Sequence, residues 1–385
     1  MNMKPSLRII VKYPLIFVFF MICFGAFLTY LIKPDAQFSQ MENRYLTTRP
    51  AISLQTLLDG TFMSNFETYC NEQVPLRNAL VRGKAAVSQA QFRCENDGVS
   101  KGKDGYLFDK TLSRSNQFSK NVSAISNFAK NMSDRQREVY ITIAPTSVWI
   151  NEDKLPKGMP VLDEAECSNE LTLALNDGEI DDNVHTVYLY DVLKASEEKQ
   201  LYYRTDHHWT SDAAYIAYGK IMEEMGLKPQ DISSYARLEA RDFLGTSYAK
   251  FKGFGVEADT IGYYDFPIKE LRLEKQTVNN LYDLQKFDTY DKYGAFMYGN
   301  DGKYEVVCGD EDVENGADLI IVKDSYANCL IPYLTMNFND IIVVDLRYYG
   351  SSLNELIDEN ADAKILLLYN WSFVNEDNHF YKLVK

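Results

Sequence analysis

Short runs of apolar residues, rich in valine, isoleucine and leucine, alternate with helical patterns along much of this chain. The runs occupy residues 139–144, 187–192, 319–322, 341–344 and 365–369. Continuous apolar runs of this length are typical of strands that are buried on both faces, and helical segments between them favour parallel pairing. The alternation therefore predicts an α/β fold whose parallel sheet is covered by helices on both sides.

The 385 residues are enough for one large core, and the chain divides into three predicted parts. Residues 1–33 form a tail with a transmembrane signal anchor, 34–100 a membrane-proximal helical lead-in, and 101–385 the α/β domain. Within that domain, residues 235–315 are interpreted as an insertion of loops and short antiparallel strands, because tyrosines, charges and glycines interrupt the alternation. The tyrosine rings either stack on sugars or pack as an ordinary irregular core.

Residues 13–32 are twenty residues without a charge, which is about the length that spans a bilayer. Lys4, Arg8 and Lys12 precede this segment, whereas only Lys33 follows it closely. The positive-inside rule then predicts a single-pass anchor in the cell membrane, with a cytoplasmic N-terminus and an extracytoplasmic main domain. A cleaved signal peptide is the alternative, but its apolar core would be unusually long and no small-x-small cleavage site precedes the polar region.

The formal net charge of −15 argues against nucleic acid as a partner, because the chain repels phosphates. It also disfavours a strongly anionic polymer as ligand, unless the site is locally basic. Of the six cysteines, Cys23 lies in the apolar segment, which leaves an odd number, five, outside it; no Cys-x-x-Cys pair occurs either, so neither a disulfide framework nor a zinc site is predicted. One or two disulfides stay open for an exported domain, with Cys70 and Cys94 as the nearest pair.

Two of the four histidines stand together in the run Asp206-His207-His208-Trp209. In an extended segment the side chains at positions i and i+2 share a side, so Asp206 can reach His208 but not easily His207. A carboxylate that orients one imidazole, and leaves its second nitrogen free to take a proton, is what a Ser-His-Asp triad needs. Trp209 is expected to wall the substrate site, and a helix is predicted to begin directly after it.

Two other interpretations of this run stay open. An Asp-His pair can be a purely structural hydrogen bond. Asp-His-His also resembles the name-giving motif of the DHH phosphoesterases, which bind metal. Metal sites of that kind need several further ligands, and His185 and His379 lie in no ligand-like spacing. We therefore predict no metal and no cofactor.

Polar residues follow three of the apolar runs, at the carboxyl ends of parallel strands where functional groups gather. These residues are Ser325, Arg347 and Asn370. Ser325 is the candidate nucleophile, because it follows a buried strand and opens a predicted helix whose free N–H groups can stabilise an oxyanion. Arg347 either holds a substrate oxygen or pairs with Asp345 or Asp324.

The run from Thr205 to Trp209 resembles the defining motif of the DHHW protein family, relatives of the SGNH-hydrolase-like alginate O-acetyltransferases, which carry Asp-x-His-Trp. Three further fragments agree with this resemblance: Glu42-Asn43-Arg44-Tyr45-Leu46, Gly102-Lys103-Asp104-Gly105-Tyr106-Leu107-Phe108 and Lys323-Asp324-Ser325-Tyr326. The resemblance implies an SGNH-hydrolase-like core. Lys323 stands where SGNH hydrolases have the glycine of Gly-Asp-Ser, and the Asp-His pair precedes the serine, as in the alginate acetyltransferases.

The resemblance implies a cell-surface or exported polysaccharide as substrate and makes a membrane-bound O-acyltransferase a candidate partner. Together with the residues above, it predicts a serine O-acetyltransferase or esterase whose triad is Ser325, His208 and Asp206. Asn370 is carried over from the SGNH asparagine as an oxyanion donor beside the N–H of Ser325. The alternative function is a catalytically inactive glycan-binding or assembly protein of the same fold.

Overall fold

The computed structural model describes residues 13–39, 41–42, 44–111, 113–176, 178, 180–309 and 317–384. These residues form two compact units, which divide the chain between residues 91 and 92. Four residues used in the sequence predictions lie outside the described part of the chain: Lys4, Arg8, Lys12 and Asn43.

In the described residues, the first unit consists of four helices and a short antiparallel hairpin. The helices are α1 (Pro14–Ile32), α2 (Leu54–Leu58), α3 (Thr61–Gln73) and α4 (Arg77–Ala90), and the hairpin strands are β1 (Phe38–Ser39) and β2 (Arg44–Tyr45). The side chain of Gln73 accepts from the N–H of Ala36 at 3.0 Å and donates to its carbonyl oxygen at 2.9 Å. Tyr69 is buried and donates to Asp35 at 2.7 Å. Helix α3 therefore fixes the segment that follows α1.

The predicted transmembrane anchor is wrong. Its segment forms α1, but no helix in the described ranges is long and apolar enough to cross a membrane. Helix α1 has 19 residues. The uncharged run therefore specifies a helix, but the absence of charges did not suffice to predict a bilayer span.

The second unit contains the remaining strands and helices. Its strands are β3 (Glu95–Asn96), β4 (Val99–Lys101), β5 (Leu107–Asp109), β6 (Val139–Ala144), β7 (Val184–Thr186), β8 (Arg237–Phe243), β9 (Asp259–Tyr264), β10 (Glu270–Arg272), β11 (Thr277–Val278), β12 (Lys303–Val307), β13 (Leu319–Lys323), β14 (Asp340–Val344) and β15 (Lys364–Asn370). Its α-helices are α5 (Phe118–Asp134), α6 (Ser147–Ile150), α7 (Glu164–Leu175), α8 (Tyr190–Lys194), α9 (Ser211–Glu224), α10 (Thr246–Phe251), α11 (Ile331–Leu334), α12 (Leu353–Glu359) and α13 (Trp371–Glu376).

The main sheet has the strand order β11-β10-β12-β14-β13-β15-β6-β7. Neighbours from β14 to β7 pair in parallel, whereas β12, β10 and β11 add antiparallel pairs at one edge. The fold is therefore mixed α/β with a mostly parallel sheet, and its antiparallel edge comes from residues 235–315. The strand predicted for residues 187–192 is wrong, because β7 ends at Thr186 and α8 begins at Tyr190.

Each face of the sheet is covered by its own hydrophobic cluster. In β13, Leu319 and Ile321 belong to one cluster, and Ile320 and Val322 belong to the other, as the alternation of a strand requires. Helix α9 contributes to the first cluster and α5 to the second. Because both faces of the sheet are buried, these strands have continuous apolar sequences and no alternation of apolar and polar residues.

The carboxyl ends of β13, β15 and β6 lie side by side, because these three strands are neighbours in the sheet. Ser325 follows β13, Asn370 ends β15, and Thr146 follows β6. Parallel strands therefore bring these three polar residues to one edge of the sheet.

Candidate active site

Three residues from two distant segments form a continuous chain of hydrogen bonds at this edge. The Oγ of Ser325 lies 2.8 Å from Nε2 of His208, and Nδ1 of His208 lies 2.5 Å from Oδ1 of Asp206. Because an ionised carboxylate only accepts, His208 donates from Nδ1, and its Nε2 accepts the hydroxyl of Ser325. This Ser325–His208–Asp206 array has the arrangement in which a hydroxyl proton can pass to an imidazole.

Asp206 is buried and held by donors on both of its oxygens. Besides the ring of His208, Oδ1 accepts the backbone N–H of His208 at 3.0 Å, and Oδ2 accepts the N–H and the hydroxyl of Thr246 at 2.7 and 2.8 Å. Burial alone would raise the pKa of Asp206, but the charges of His208 and His207, with these hydrogen bonds, hold the pKa well below its usual range. Asp206 is therefore an ionised, fixed carboxylate.

Gly245 allows Thr246 to approach Asp206 this closely. A Cβ atom at Gly245 would lie 2.3 Å from both Cβ and Oδ2 of Asp206. Only a residue without a side chain fits between the carboxylate and the first turn of α10. The carboxylate thus depends on a glycine that the sequence pattern around Asp206 does not contain.

His208 is the proton-accepting group of the array. Burial of the ring and the neighbouring His207 lower the pKa of His208 to about 4, against the opposing influence of Asp206. The centroids of the two histidine rings are 3.9 Å apart, and His208 also stacks on Tyr293 at 3.8 Å. His208 is therefore neutral at neutral pH, which is the state a general base needs.

Ser325 is the first residue of a short 3-10 helix, Ser325–Cys329. It is partly exposed, whereas every other residue of the segment 321–330 is buried. The N–H of the first helical residue has no partner within the helix and is available to an oxyanion. Burial raises the pKa of the nearby Cys329 to about 12, so this thiol stays neutral and does not compete as a nucleophile.

Asn370 is connected to the segment of Ser325 through Asp324. Its backbone N–H and its Nδ2 donate to Oδ2 of Asp324 at 2.8 and 2.7 Å, while its Oδ1 accepts the N–H of Phe373 at the start of α13. Asp324 in turn caps the 3-10 helix by accepting the N–H of Tyr326 at 2.8 Å. The side-chain amide of Asn370 has a second N–H for an oxyanion, so its role as a donor stays a prediction.

Aromatic residues connect the two segments that contain the array, residues 206–209 and 325–326, by hydrogen bonds. Trp209 donates from Nε1 to the carbonyl oxygen of Tyr326 at 2.9 Å, and Tyr326 donates its hydroxyl to the carbonyl oxygen of His207 at 2.5 Å. Tyr293 donates to the carbonyl oxygen of Ser325 at 2.9 Å. Trp209 is fully buried, so the structure places it as a link behind the array and not as a wall of the substrate site.

Arg347 makes no hydrogen bond to the array within the described residues. Its guanidinium forms a bidentate pair with Asp345 at 2.9 and 2.6 Å, which is the second of the two roles considered for it. Lys323, in the position of the SGNH glycine, is fully buried and donates to Asn300 and Asn328 at 2.7 Å each. A long side chain fits before Ser325 because the ammonium group of Lys323 is hydrogen-bonded to these two asparagines.

A cavity of about 350 Å³ borders the array at His207, Tyr326 and Asn370. Strand β5 and residues 97–98, just before β4, also line it, and the N–H of Leu107 in β5 donates to the carbonyl oxygen of Arg204 at 2.8 Å. The charged residues of the cavity are mixed in sign: Asp97, Asp109, Lys110, Lys250 and Glu376. Lys250 is ion-paired with Asp109 at 2.5 Å, so the cavity is not locally basic.

The tyrosines of residues 235–315 do not line this cavity, as far as the described part of the insertion shows. Tyr282, Tyr293 and Tyr304 are buried, and Tyr263 stacks on Phe287 at 4.6 Å. Their rings belong to the core of the second unit, which was the alternative interpretation of this tyrosine-rich stretch.

Asp206, His207 and His208 each offer one ligand atom within 4.8 Å of the others, so a metal ion has to be considered. Both ring nitrogens of His208 are engaged, one by Asp206 and the other by Ser325. A metal would have to break one of these hydrogen bonds and would still find fewer protein ligands than metallophosphoesterases use. The donor set fits the hydrogen-bonded array better than a metal centre.

Sequence reasoning missed the residues that approach the array from the loop after β8. Gly245 and Thr246 lie about 40 residues after Asp206 and no local pattern connects the two segments. It also missed His207 as a cavity residue, because the i, i+2 argument directs attention only to His208. The single usable signal was the neighbouring histidine itself, in a chain that has only four.

The fold is mixed α/β, and the Ser325–His208–Asp206 array lies at the carboxyl edge of its mostly parallel sheet. A family model described as "DHHW protein" matches residues 98–344. The chain therefore belongs to the DHHW family.

Two of the following solved structures, those with TM-scores above 0.6, support the fold. A DHHW family protein from Eubacterium siraeum shares 22% identity at a TM-score of 0.61, over 75% of this chain and 95% of its own. Bacillus cereus PatB1, solved with a sulfonyl adduct, shares 20% identity at a TM-score of 0.62, over 74% and 98%. The O-acetyltransferase domain of Pseudomonas putida AlgJ shares 13% identity at a TM-score of 0.44, over 73% and 94%. A search of curated proteins gave no significant match.

Proposed function

We propose that this protein is a serine-dependent O-acetyltransferase or esterase that acts on a polysaccharide. The observation that carries the proposal is the array itself, in which Ser325, His208 and Asp206 are joined by hydrogen bonds of 2.8 and 2.5 Å. A purely structural Asp-His pair needs no serine hydroxyl on the second ring nitrogen. A partly exposed serine at that position is what acyl transfer requires.

In the proposed first step, Oγ of Ser325 attacks the carbonyl carbon of an acyl ester while its proton passes to Nε2 of His208. The N–H of Ser325, with Asn370 as the second predicted donor, stabilises the oxyanion. The bond to the leaving alcohol then breaks, and that alcohol takes the proton from His208. Asp206 remains ionised throughout and stabilises the imidazolium.

In the second step, a sugar hydroxyl or water attacks the acyl-serine and gives its proton to His208. The bond between the acyl carbon and Ser325 Oγ breaks, and the serine recovers its proton. The acetyl group and the polysaccharide rest on the sequence resemblance to the alginate acetyltransferases. The membrane-bound O-acyltransferase implied by that resemblance is proposed as the source of acyl groups.

The cavity suggests which polysaccharides fit. Its volume of about 350 Å³ is within the range of small-ligand sites, and its charged residues are mixed in sign. The net charge of the chain is −15, so a strongly anionic polymer would enter this cavity against an unfavourable field. We therefore propose a neutral polysaccharide as the substrate.

The test is turnover of p-nitrophenyl acetate by the wild type and by Ser325→Ala. We expect the variant to lose roughly 10³-fold or more in kcat, because no other group can form the acyl intermediate. Ser351→Ala, which alters an exposed serine, is the matched control and should retain turnover. A wild-type protein that turns over no acyl ester, yet binds neutral glycans, would instead indicate the inactive binding protein.

A further inference from the structure

The hydroxyl of Thr246 links Asp206 to His207. Its Oγ1 lies 2.8 Å from Oδ2 of Asp206 and 2.7 Å from Nδ1 of His207. An ionised carboxylate has no proton to give, so the hydroxyl donates to Asp206 and accepts from His207. When the His207 ring carries a single proton, this hydrogen bond places that proton on Nδ1, and Nε2 keeps its lone pair.

The ring of His207 faces the cavity. It is one of the lining groups, and its side chain is 40% exposed, against 6% for His208. With Nδ1 engaged by Thr246, Nε2 is the nitrogen left for a ligand, and it has no hydrogen-bond partner in the described ranges. The two rings are 3.9 Å apart, so a group bound at His207 lies beside a group that reacts at His208.

We propose that His207 selects the acceptor by accepting a hydrogen bond from the sugar hydroxyl next to the one that becomes acylated. This inference rests on the proposed function and concerns its second step. One hydroxyl gives its proton to Nε2 of His208 and forms the new ester bond, while the bond to Ser325 Oγ breaks. Its vicinal neighbour donates to Nε2 of His207. Water and simple alcohols lack that second donor, so the pair of histidines favours transfer to a vicinal diol.

Two small acceptors separate this idea from general affinity for alcohols. Trans-1,2-cyclohexanediol has the vicinal pair, and cyclohexanol has the same ring with one hydroxyl. With p-nitrophenyl acetate as donor, nitrophenol release reports formation of the acyl-serine, and the acetylated alcohol reports transfer. We expect the wild type to prefer the diol over the mono-alcohol in acceptor kcat/KM by about fivefold or more, as one additional hydrogen bond provides.

Two substitutions of His207 place the polar atoms differently. His207→Asn keeps a donor near the position of Nδ1, where it can bond Thr246, but has nothing at the position of Nε2. His207→Gln places an amide oxygen near that position. We expect His207→Asn to lose the preference for the diol and His207→Gln to keep part of it.

Substitutions of Thr246 test the link itself. Thr246→Val removes the hydroxyl that fixes His207 but retains the N–H donated to Asp206, so the preference for the diol should fall. Thr246→Ser restores a hydroxyl and should restore the preference.

The outcomes separate this inference from the proposed function. If the wild type releases nitrophenol and Ser325→Ala does not, the acyl-serine is established whatever the acceptors show. An unchanged preference for the diol in His207→Asn, or equal preferences in Thr246→Val and Thr246→Ser, would then overturn the role of His207 alone. The absence of nitrophenol release from the wild type would defeat both.

Discussion

At the scale of single residues, the carboxylate of Asp206, which is hydrogen-bonded to His208, is the most constrained group of the site. Asp206 is buried and accepts hydrogen bonds from His208 and Thr246 on its two oxygens. A second Asp-x-His pair in the chain, Asp377 and His379, has the same local geometry, with Nδ1 at 3.0 Å from the carboxylate. Among the described residues, no serine is hydrogen-bonded to the other ring nitrogen of His379, so this pair serves as a reference.

Asp206→Asn should lower kcat for p-nitrophenyl acetate by roughly 10³- to 10⁴-fold, because an amide no longer holds His208 in the tautomer that accepts the serine proton. Asp377→Asn removes the equivalent carboxylate of the reference pair and should leave kcat within about twofold. Steady-state kinetics of the two variants make the comparison. Equal effects of both substitutions would mean that Asp206 has only a structural role.

The pH dependence should reflect the low pKa of His208, about 4. The neutral ring is the base, so kcat/KM should stay level as the pH falls from 8 to about 5 and should drop only as the pH passes through 4. His207 is one of the groups that lower this pKa, while Asp206 raises it and Arg347 lowers it further. His207→Gln should therefore move the acidic limb to higher pH. A decrease of wild-type kcat/KM with a midpoint already at pH 6.5 or above would contradict the burial of His208.

At the scale of secondary-structure elements, the site depends on how closely α10 approaches the histidine run. A Cβ at Gly245 would lie 2.3 Å from Asp206, whereas a Cβ at Gly219 of α9 would meet nothing within 4 Å. The same substitution can therefore be made at a position that touches the array and at one that does not.

Gly245→Ala should reduce kcat by on the order of 10²-fold, because Asp206 must move and misplacement of a triad group is costly. Gly219→Ala should leave kcat unchanged and stabilise the protein by up to about 1 kcal/mol, since alanine is the better helix former. Kinetics and thermal unfolding of both variants test the pair. Retention of full activity by Gly245→Ala would show that α10 does not hold Asp206 in solution.

The sequence was informative wherever a pattern is local. The i, i+2 spacing of Asp206 and His208 and the position of Ser325 after β13 follow from residues adjacent in the chain. Contacts between distant segments were not readable, as Thr246 shows. Arg347 could not be assigned from its strand-end position alone, because Asp345, two residues earlier, competes for its guanidinium.

Burial decides between the two interpretations of the tyrosines, whereas two apolar runs were assigned incorrectly. Tyr282 and Tyr304 look suited to a sugar-binding surface, but their rings are in the core, since tyrosine serves both purposes equally well in sequence. The apolar run at residues 187–192 matched the pattern of a strand. In the structure, however, β7 ends at Thr186 and helix α8 begins at Tyr190. Residues 13–32 matched the composition of a membrane span, but no helix among the described residues is long and apolar enough to cross a membrane.

At the scale of the whole molecule, the array and the cavity belong to the second compact unit. All of their residues lie between residues 97 and 376, inside the unit that begins at residue 92. That unit has a hydrophobic core on each face of its sheet. Units of this kind commonly fold by themselves.

A fragment of residues 92–385 should therefore retain turnover of p-nitrophenyl acetate within about threefold of the full chain. Circular dichroism and kinetics on the same preparation test this expectation. A folded fragment without activity would mean that the first unit contributes to the chemistry.

Stability should depend on the pH through Glu164, a fully buried carboxyl that accepts from the N–H of Thr146 at 2.9 Å. Burial raises the pKa of Glu164 from 4.5 to about 7, although the hydrogen bonds from Thr146 oppose it. The folded state thus binds the proton more tightly than the unfolded state, so this contribution is present below pH 4.5 and is lost as the pH rises through 7.

His208 acts in the opposite direction over an overlapping range, because its pKa is lowered on folding and its contribution is lost as the pH falls from 6.5 to 4. The difference between Glu164→Gln and the wild type isolates the carboxyl. The free energy of unfolding of the variant, relative to the wild type, should rise by roughly 2.5 kcal/mol between pH 5 and pH 8. A difference that does not change with pH would show that Glu164 is not buried as described.

The claim on which the account depends is that His208 activates Ser325. Its most direct test is peptide mapping by mass spectrometry after reaction with a sulfonyl fluoride, which attaches to activated hydroxyl groups. We predict one adduct, on the peptide that contains Ser325, absent in Ser325→Ala and formed at least about 10²-fold more slowly in His208→Ala. An adduct that forms on another residue, or that forms on Ser325 equally fast without His208, would contradict the account.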